Sequence, residues 1–123
     1  MLNGTNNATH LENNLIVSNG RGVVFDGTGN TASLQSNQFG GNNGAIIYLA
    51  NPNIFPQQLS SNVIVSSNAI NGIEVVNGPS GMTTTSGTWD CTAFPYVVRQ
   101  ALTINPASTL TIAPGVVVKL SRF

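Results

Sequence analysis

LSSNVIVSSNAINGIEV, residues 59–75, has a simple internal order. Leu59 is followed three residues later by Asn62, then by apolar Ile64, and then by Gly72 before an alternating apolar run. The same order occurs twice upstream, as LENNLI (11–16) before Gly22-VVF and as LQSNQF (34–39) before Gly44-AIIYL. The asparagines Asn14, Asn37 and Asn62 stand 23 and then 25 residues apart. Short strands recurring at this period, with no helical pattern between them, predict an all-β fold of stacked coils, a β-solenoid.

Each coil can be read from the pleat. Alternate side chains of a strand face opposite ways, so Ile73 and Val75 are expected inside and Glu74 in solvent. The same register puts Val23 and Phe25 inside in the first coil, and Ala45, Ile47 and Leu49 in the second. Ile46 and Tyr48 would then face out, an apolar pair for an outer face, so either the register differs there or something covers them. Leu11, Leu34 and Leu59 are expected to form one internal column, and Ile16, Phe39 and Ile64 another. The repeated asparagine suits a coil corner, because Asn tolerates left-handed backbone and bonds its own main chain at turns. Identical amides stacked at strand spacing also form hydrogen-bonded ladders. Asn14, Asn37 and Asn62 are therefore expected to be a structural ladder rather than a ligand site.

The chain divides into coils over 1–76, a Gly-, Ser- and Thr-rich excursion or linker over 77–93, and a strand segment over 94–123 that continues or caps the solenoid. All three belong to one domain. The ANPNIFPQQ segment (50–58) contains two prolines that discourage ladder pairing and is expected to project as a loop, with Ile54 and Phe55 either tucked back or exposed at its tip. Loops on rigid scaffolds commonly carry binding, so Ile54, Phe55 and Trp89 are the candidate ligand contacts. Trp89 is also expected to cover an open end or a seam.

Composition narrows the function classes. Of the 123 residues 41% are apolar and only 7% are charged, with 13 glycines; an average domain carries roughly a quarter charged residues. A disordered chain shows the opposite balance. The formal net charge is zero, so no basic stripe is present to neutralise a phosphate backbone and nucleic acid is not an expected partner. No apolar run approaches the roughly 18 residues of a membrane span. Met1 leads into LNGTNNAT, with no basic start or apolar stretch of a signal peptide, so the chain is expected to be part of a longer protein.

Chemistry-bearing residues are few. Glu12, Asp26, Glu74 and Asp90 are scattered over different coils, whereas hydrolysis of a glycosidic bond uses two carboxylates roughly 5–10 Å apart. Asp26 and Glu74 are placed two coils apart, roughly 10 Å at strand spacing. His10 stands alone and reads as a surface residue rather than a zinc ligand. DGTGN (26–30) lacks the alternating acids of a calcium loop and reads as a turn. The single Cys91 has no internal disulfide partner and no nearby His, so it reads as a small semi-buried thiol. Asn3-Gly-Thr5 and Asn7-Ala-Thr9 match a glycosylation pattern that an Asn- and Thr-rich chain produces by chance. Thr103 and Thr111 are too close in sequence to form the stacked Thr array of an ice-binding face. No cofactor, metal or catalytic set is expected.

From Gly72 to Leu120 the run NGIEV, TWD, FPYVV and LTIAPGVVVKL resembles bacterial right-handed parallel β-helix repeat proteins of the cell-surface and secreted type. The resemblance covers about half of the chain closely and the Asn-rich coils more loosely. It implies a right-handed winding, which parallel β crossovers also favour, and a secreted or surface location. It carries no residue-level function, because such repeats serve adhesins, surface layers and carbohydrate-active enzymes alike.

The expected role is that of a non-catalytic structural or adhesive module that contacts carbohydrate or protein through loops 50–58 and 77–93. The alternative is a fragment of a polysaccharide lyase or hydrolase lacking its catalytic coils; an ice-binding solenoid ranks third. Open solenoid ends invite pairing, so self-association or capping by Trp89 and the 77–95 segment is expected.

Overall fold

The computed structural model describes residues 2–3, 8–27, 31–77, 82–83 and 86–121. Its strands are β1 (Leu2–Asn3), β2 (Ala8–Glu12), β3 (Leu15–Val17), β4 (Val23–Asp26), β5 (Thr31–Gln35), β6 (Gln38–Gly40), β7 (Ala45–Leu49), β8 (Val63–Ile64) and β9 (Ile70–Val75), followed by β10 (Met82–Thr83), β11 (Gly87–Trp89), β12 (Tyr96–Val98), β13 (Thr103–Ile104), β14 (Leu110–Ile112) and β15 (Val118–Leu120). The one helical element among the described residues is a single 3-10 turn, Leu59–Ser61.

Among the described residues every strand pair is parallel and joins strands one turn apart. That pattern winds the chain into a β-solenoid of about four turns. One long sheet, β1-β4-β7-β9-β12-β15, runs the whole length. Two further sides are split: β2-β5 and β3-β6-β8 serve the first turns, and β10-β13 and β11-β14 serve the last.

The inside of the long sheet is two columns of apolar side chains held in register. Val23, Ile47, Ile73, Tyr96 and Val118 form one; Phe25, Leu49, Val75, Val98 and Leu120 form the other. From Val23 to Tyr96 and from Phe25 to Val98 every member is buried, while Leu120 on the outer strand is 71% exposed. Leu11 pairs with Leu34, and Ile16 with Phe39 and Ile64, on the other two sides. Removing one such column side chain, as in Phe39→Ala at a fully buried position, is expected to cost about 3–5 kcal/mol, read as a lowered urea midpoint.

Ile46 does not face out. The pairing slips between Ala45 and Ile47, because Ala45 sits opposite Ile70 while Ile47 sits opposite Ile73. The extra residue on β9 is a β-bulge, and Ile46 beside it is fully buried in the core cluster. Tyr48 is left half-buried on the outer face, covered by the Arg21 guanidinium 4.0 Å from its ring centroid.

Two corners of each early turn share one local device. Asn13, Ser18, Ser36 and Gly41 all have left-handed backbone, with φ between 55° and 62°, and each precedes an asparagine. The left-handed residue is thus the one before the repeated Asn, not the Asn itself. Such a conformation costs a non-glycine residue about 1–2 kcal/mol, which the amide bonds described below offset.

Stretch 77–93 is not an excursion. It contains β10 and β11, which pair with β13 and β14 and close the fourth turn. Trp89 is therefore an interior residue one turn short of the outer strands and not an end cap. It is 2% exposed, and its ring stacks on Tyr96 with centroids 4.6 Å apart and an interplanar angle of 7°. Burial pushes the Tyr96 hydroxyl well above the usual tyrosine range; the Cys91 amide donates to it at 3.5 Å. The neutral phenol is thus favoured in the folded state, and that contribution is complete below about pH 10, where an unfolded tyrosine ionises. It is lost as pH rises further, at up to about 1.4 kcal/mol per pH unit. Urea midpoints between pH 8 and 11 are expected to fall more steeply for the wild type than for Tyr96→Phe. Parallel slopes would remove Tyr96 as the cause.

Candidate functional site

The two segments expected to carry binding come together at a seam. Between the third and fourth turns only the long sheet continues, through β9 and β12, while the other two sides change sheets. Segment 50–58 fills the gap. It does not project: Pro52, Ile54 and Pro56 are buried, and Ile54 belongs to the core cluster at 0% exposure. Asn51 Nδ2 donates to Gly27 O at 2.6 Å, and the Asn53 amide donates to Asn51 Oδ1 at 2.9 Å. Gln57 then runs as a one-residue bridge beside Ser33, with Gln57 N donating to Ala32 O and Leu34 N to Gln57 O. Prolines at 52 and 56 leave these donors available.

Of the three candidate contacts, Ile54 and Trp89 are excluded from the surface by burial, so neither touches a ligand from outside. Phe55 remains. It is half-buried, and its ring lies against Gly87, where an added Cβ would stand 2.4 Å from ring carbons. The absence of a side chain at 87 is what lets the ring settle there.

Beyond Gln58, whose backbone is left-handed (φ 61°), the chain turns through Leu59–Ser61. Ser33 Oγ donates to Gln58 Oε1 at 2.6 Å, and Ser61 Oγ accepts from Ser36 N at 3.1 Å. Thr92 N donates to Ser60 Oγ at 3.0 Å, which ties the third turn to the fourth. The result is a groove of about 810 Å³, with Asn53, Phe55 and Gln58 on one wall and Ser86, Thr88 and Asp90 on the other. Its lining sets amide and hydroxyl side chains beside an apolar strip of Phe55, Pro56 and Leu59, with Asp90 as its carboxylate.

The structure also brings Asn14, Asn37 and Asn62 together. Asn37 Oδ1 accepts from both the main-chain N and Nδ2 of Asn14 at 3.0 Å, and Asn62 Oδ1 accepts from the same two groups of Asn37 at 2.9 Å. Each Nδ2 also caps a carbonyl, Glu12 O for Asn14, Leu11 O for Asn37, and Leu34 O and Leu59 O for Asn62. A second column, not anticipated from sequence, repeats the arrangement at the next corner: Asn42 Oδ1 accepts from Asn19 N, Asn68 Oδ1 from Asn42 N and Nδ2, and Asn71 Oδ1 from Asn68 N and Nδ2. The signal was present, because Asn19, Asn42 and Asn68 recur 23 and 26 residues apart. Asn37, Asn42, Asn62 and Asn68 are all buried, which an amide tolerates only when bonded.

The remaining candidates are dispersed. Glu74, expected in solvent, has only 9% of its side chain exposed and meets Arg99 at 3.3 Å. Asp26 lies on the same outer face, one row further along and two strands away. His10 and Glu12 form an exposed pair at 3.0 Å, and Cys91 is buried with a free thiol. Residues 28–30 of the DGTGN turn, residues 4–7 around the glycosylation patterns and Thr84 and Thr85 lie outside the described residues. Thr111 pairs with Thr88, whereas Thr103 pairs with Met82 on another side. No group of three or more His, Cys, Asp or Glu side chains able to hold a metal occurs among the described residues. Among the described residues no helix is long and apolar enough to cross a membrane. Compared with known proteins, the chain matches no family model, no curated sequence and no solved structure.

Proposed function

We propose that this chain is a non-catalytic structural and adhesive solenoid module of a secreted or surface-attached protein, and that it contacts neutral carbohydrate through the seam groove. The lining of that groove carries the reading. Sugar hydroxyls both donate and accept, and side-chain amides and hydroxyls answer them in kind; the apolar face of a sugar ring fits an aromatic side chain such as Phe55. The groove walls are anchored to parallel sheets, so a ligand meets a largely preformed surface. The asparagine columns act in this reading as ladders that stiffen two corners of the scaffold.

Glycan-array screening followed by calorimetry tests the proposal. A neutral oligosaccharide is expected to bind, and Gly87→Ala, which lifts the Phe55 ring off the wall, is expected to weaken binding about tenfold, or roughly 1.4 kcal/mol. Failure of every neutral glycan to bind, or equal binding by Gly87→Ala, would end this reading. Asp90 is the carboxylate of the groove, and glycosidases work with two. Turnover of the bound glycan that vanishes in Asp90→Asn would instead support a fragment of a carbohydrate-active enzyme.

Outermost among the described strands of the long sheet, β15 presents Lys119 and the exposed Leu120 at the sheet edge. An additional parallel strand, from a further turn or a second copy, fits that edge. Concentration-dependent mass in light scattering, reduced by Leu120→Lys, is the expected sign of a second copy.

A further inference from the structure

The outer face of the long sheet holds a second cleft, unrelated to the seam groove. Across this face the outward residues Val24, Tyr48, Glu74, Val97 and Lys119 stand in one row. The corner segments at 19–22, 43–44 and 69–70 rise beside it and enclose a cleft of about 870 Å³. Arg21 enters from one side, with its guanidinium 4.0 Å from the Tyr48 ring centroid. It is seated there by Gly44, where a Cβ would stand 3.0 Å from Arg21 Cγ and 2.7 Å from Gly20 O. Arg99 enters from the other side and holds Glu74 at 3.3 Å. Tyr48 and Glu74 are direct cross-strand neighbours, so the two guanidinia flank one ring and one buried carboxylate.

Charge is scarce in this protein, four cations and four anions in all, and its distribution is uneven. The described cations, Arg21, Arg99 and Lys119, all lie on or against this face, facing only Asp26 and Glu74 among the described acids. Arg21 meets no carboxylate among the described residues. A guanidinium held over an aromatic ring by its carbon leaves N–H groups at its edge, and such an edge matches a carboxylate in two parallel hydrogen bonds.

The geometry points to a site for a carboxylate-bearing sugar, a uronic acid unit of an acidic polysaccharide, with Arg21 binding the carboxylate and Glu74 accepting a ring hydroxyl. Glu74 decides between anions. Its fixed negative charge beside the guanidinia opposes a phosphate dianion, whereas a sugar monoanion is tolerated and its hydroxyls find an acceptor. At Gly20, where a Cβ would meet nothing within 4 Å, the bare main chain lets the sugar ring approach closely. The neutral seam groove and this cleft would then read two different features of a glycan surface.

Affinity electrophoresis and calorimetry with an oligogalacturonate test the assignment, with a neutral oligosaccharide and inorganic phosphate as comparators and circular dichroism as the control for folding. The wild type is expected to bind oligogalacturonate, more weakly as salt rises, and to bind phosphate at least tenfold more weakly. Arg21→Gln is expected to reduce oligogalacturonate binding tenfold or more. Gly44→Ala should do nearly the same with every charge retained, because it unseats Arg21. Glu74→Gln should raise phosphate affinity. Oligogalacturonate binding unchanged in both Arg21→Gln and Gly44→Ala overturns the site, as does phosphate binding as tight as the sugar. Loss caused by Gly87→Ala alone would place the acidic glycan in the seam groove and also overturn it. Neutral-glycan binding lost while Arg21-dependent binding persists would remove only the seam-groove reading.

Discussion

Asn37→Ala is expected to destabilise the protein by about 3 kcal/mol, several times the effect of the same change at Asn14. Asn37 is the middle amide of its column and is fully buried. Its Oδ1 serves the Asn14 main-chain N and side chain, and its Nδ2 serves Leu11 O and Asn62 Oδ1. Truncation takes one donor from the buried Asn62 Oδ1 and removes the partners of the part-buried Asn14 amide and Leu11 carbonyl, at about 1–3 kcal/mol for a buried group left unpaired. Asn14 is exposed, so water replaces what its truncation removes. In a solenoid each turn contacts only its neighbours, so the loss at Asn37 weakens the joins of the second turn to both the first and the third. Urea unfolding of the two variants beside the wild type measures the contrast. Equal losses at the two positions would mean that the column contributes little beyond ordinary corner bonding.

The same comparison shows what could be read from the residues and what could not. The spacing of Leu-x-x-Asn and the alternation after Gly22, Gly44 and Gly72 sufficed for the solenoid, because these signals are local and recur at each turn. The seam resisted reading because it occurs once. Ile54 has no counterpart in other turns, and two prolines beside it suggest a projecting loop, yet burial of one isoleucine and one half-buried phenylalanine closes the gap between sheets. Strands β10 and β11 are two and three residues long. Their existence depends on β13 and β14 more than twenty residues later, and Gly, Ser and Thr around them obscure the alternation. Glu74 was placed in solvent by correct parity; it is the Arg99 side chain, 25 residues away, and the rising corners that cover it. The outer-face cleft therefore had no sequence signature. Each of its charged members looks solitary until the sheet sets them side by side.

Gly22→Ala is expected to cost about 4 kcal/mol or more, at the far end of single-substitution effects, although it adds one methyl group. A Cβ at residue 22 would stand 2.1 Å from the Ile46 carbonyl oxygen, and 2.9 Å from both its carbon and Phe39 Cδ1. The oxygen belongs to the main chain of the neighbouring turn, so no rotamer change relieves the overlap. Relief requires β4 to draw away from β7, against the Gly22 N to Ala45 O bond of 2.9 Å that begins their pairing. Phe39 is a fully buried member of its column and has no room to retreat in a close-packed interior. Gly20→Ala supplies the control two residues away, because a Cβ there meets nothing within 4 Å and surface changes of that kind stay within about 0.5 kcal/mol. With a total stability of about 5–15 kcal/mol for a domain, the Gly22 variant should be largely unfolded or melt far below the wild type, while the Gly20 variant melts with it. Thermal unfolding followed by circular dichroism measures the difference. A Gly22 variant that melts with the Gly20 variant would show that the first two turns are not packed as closely as the 2.1 Å approach requires.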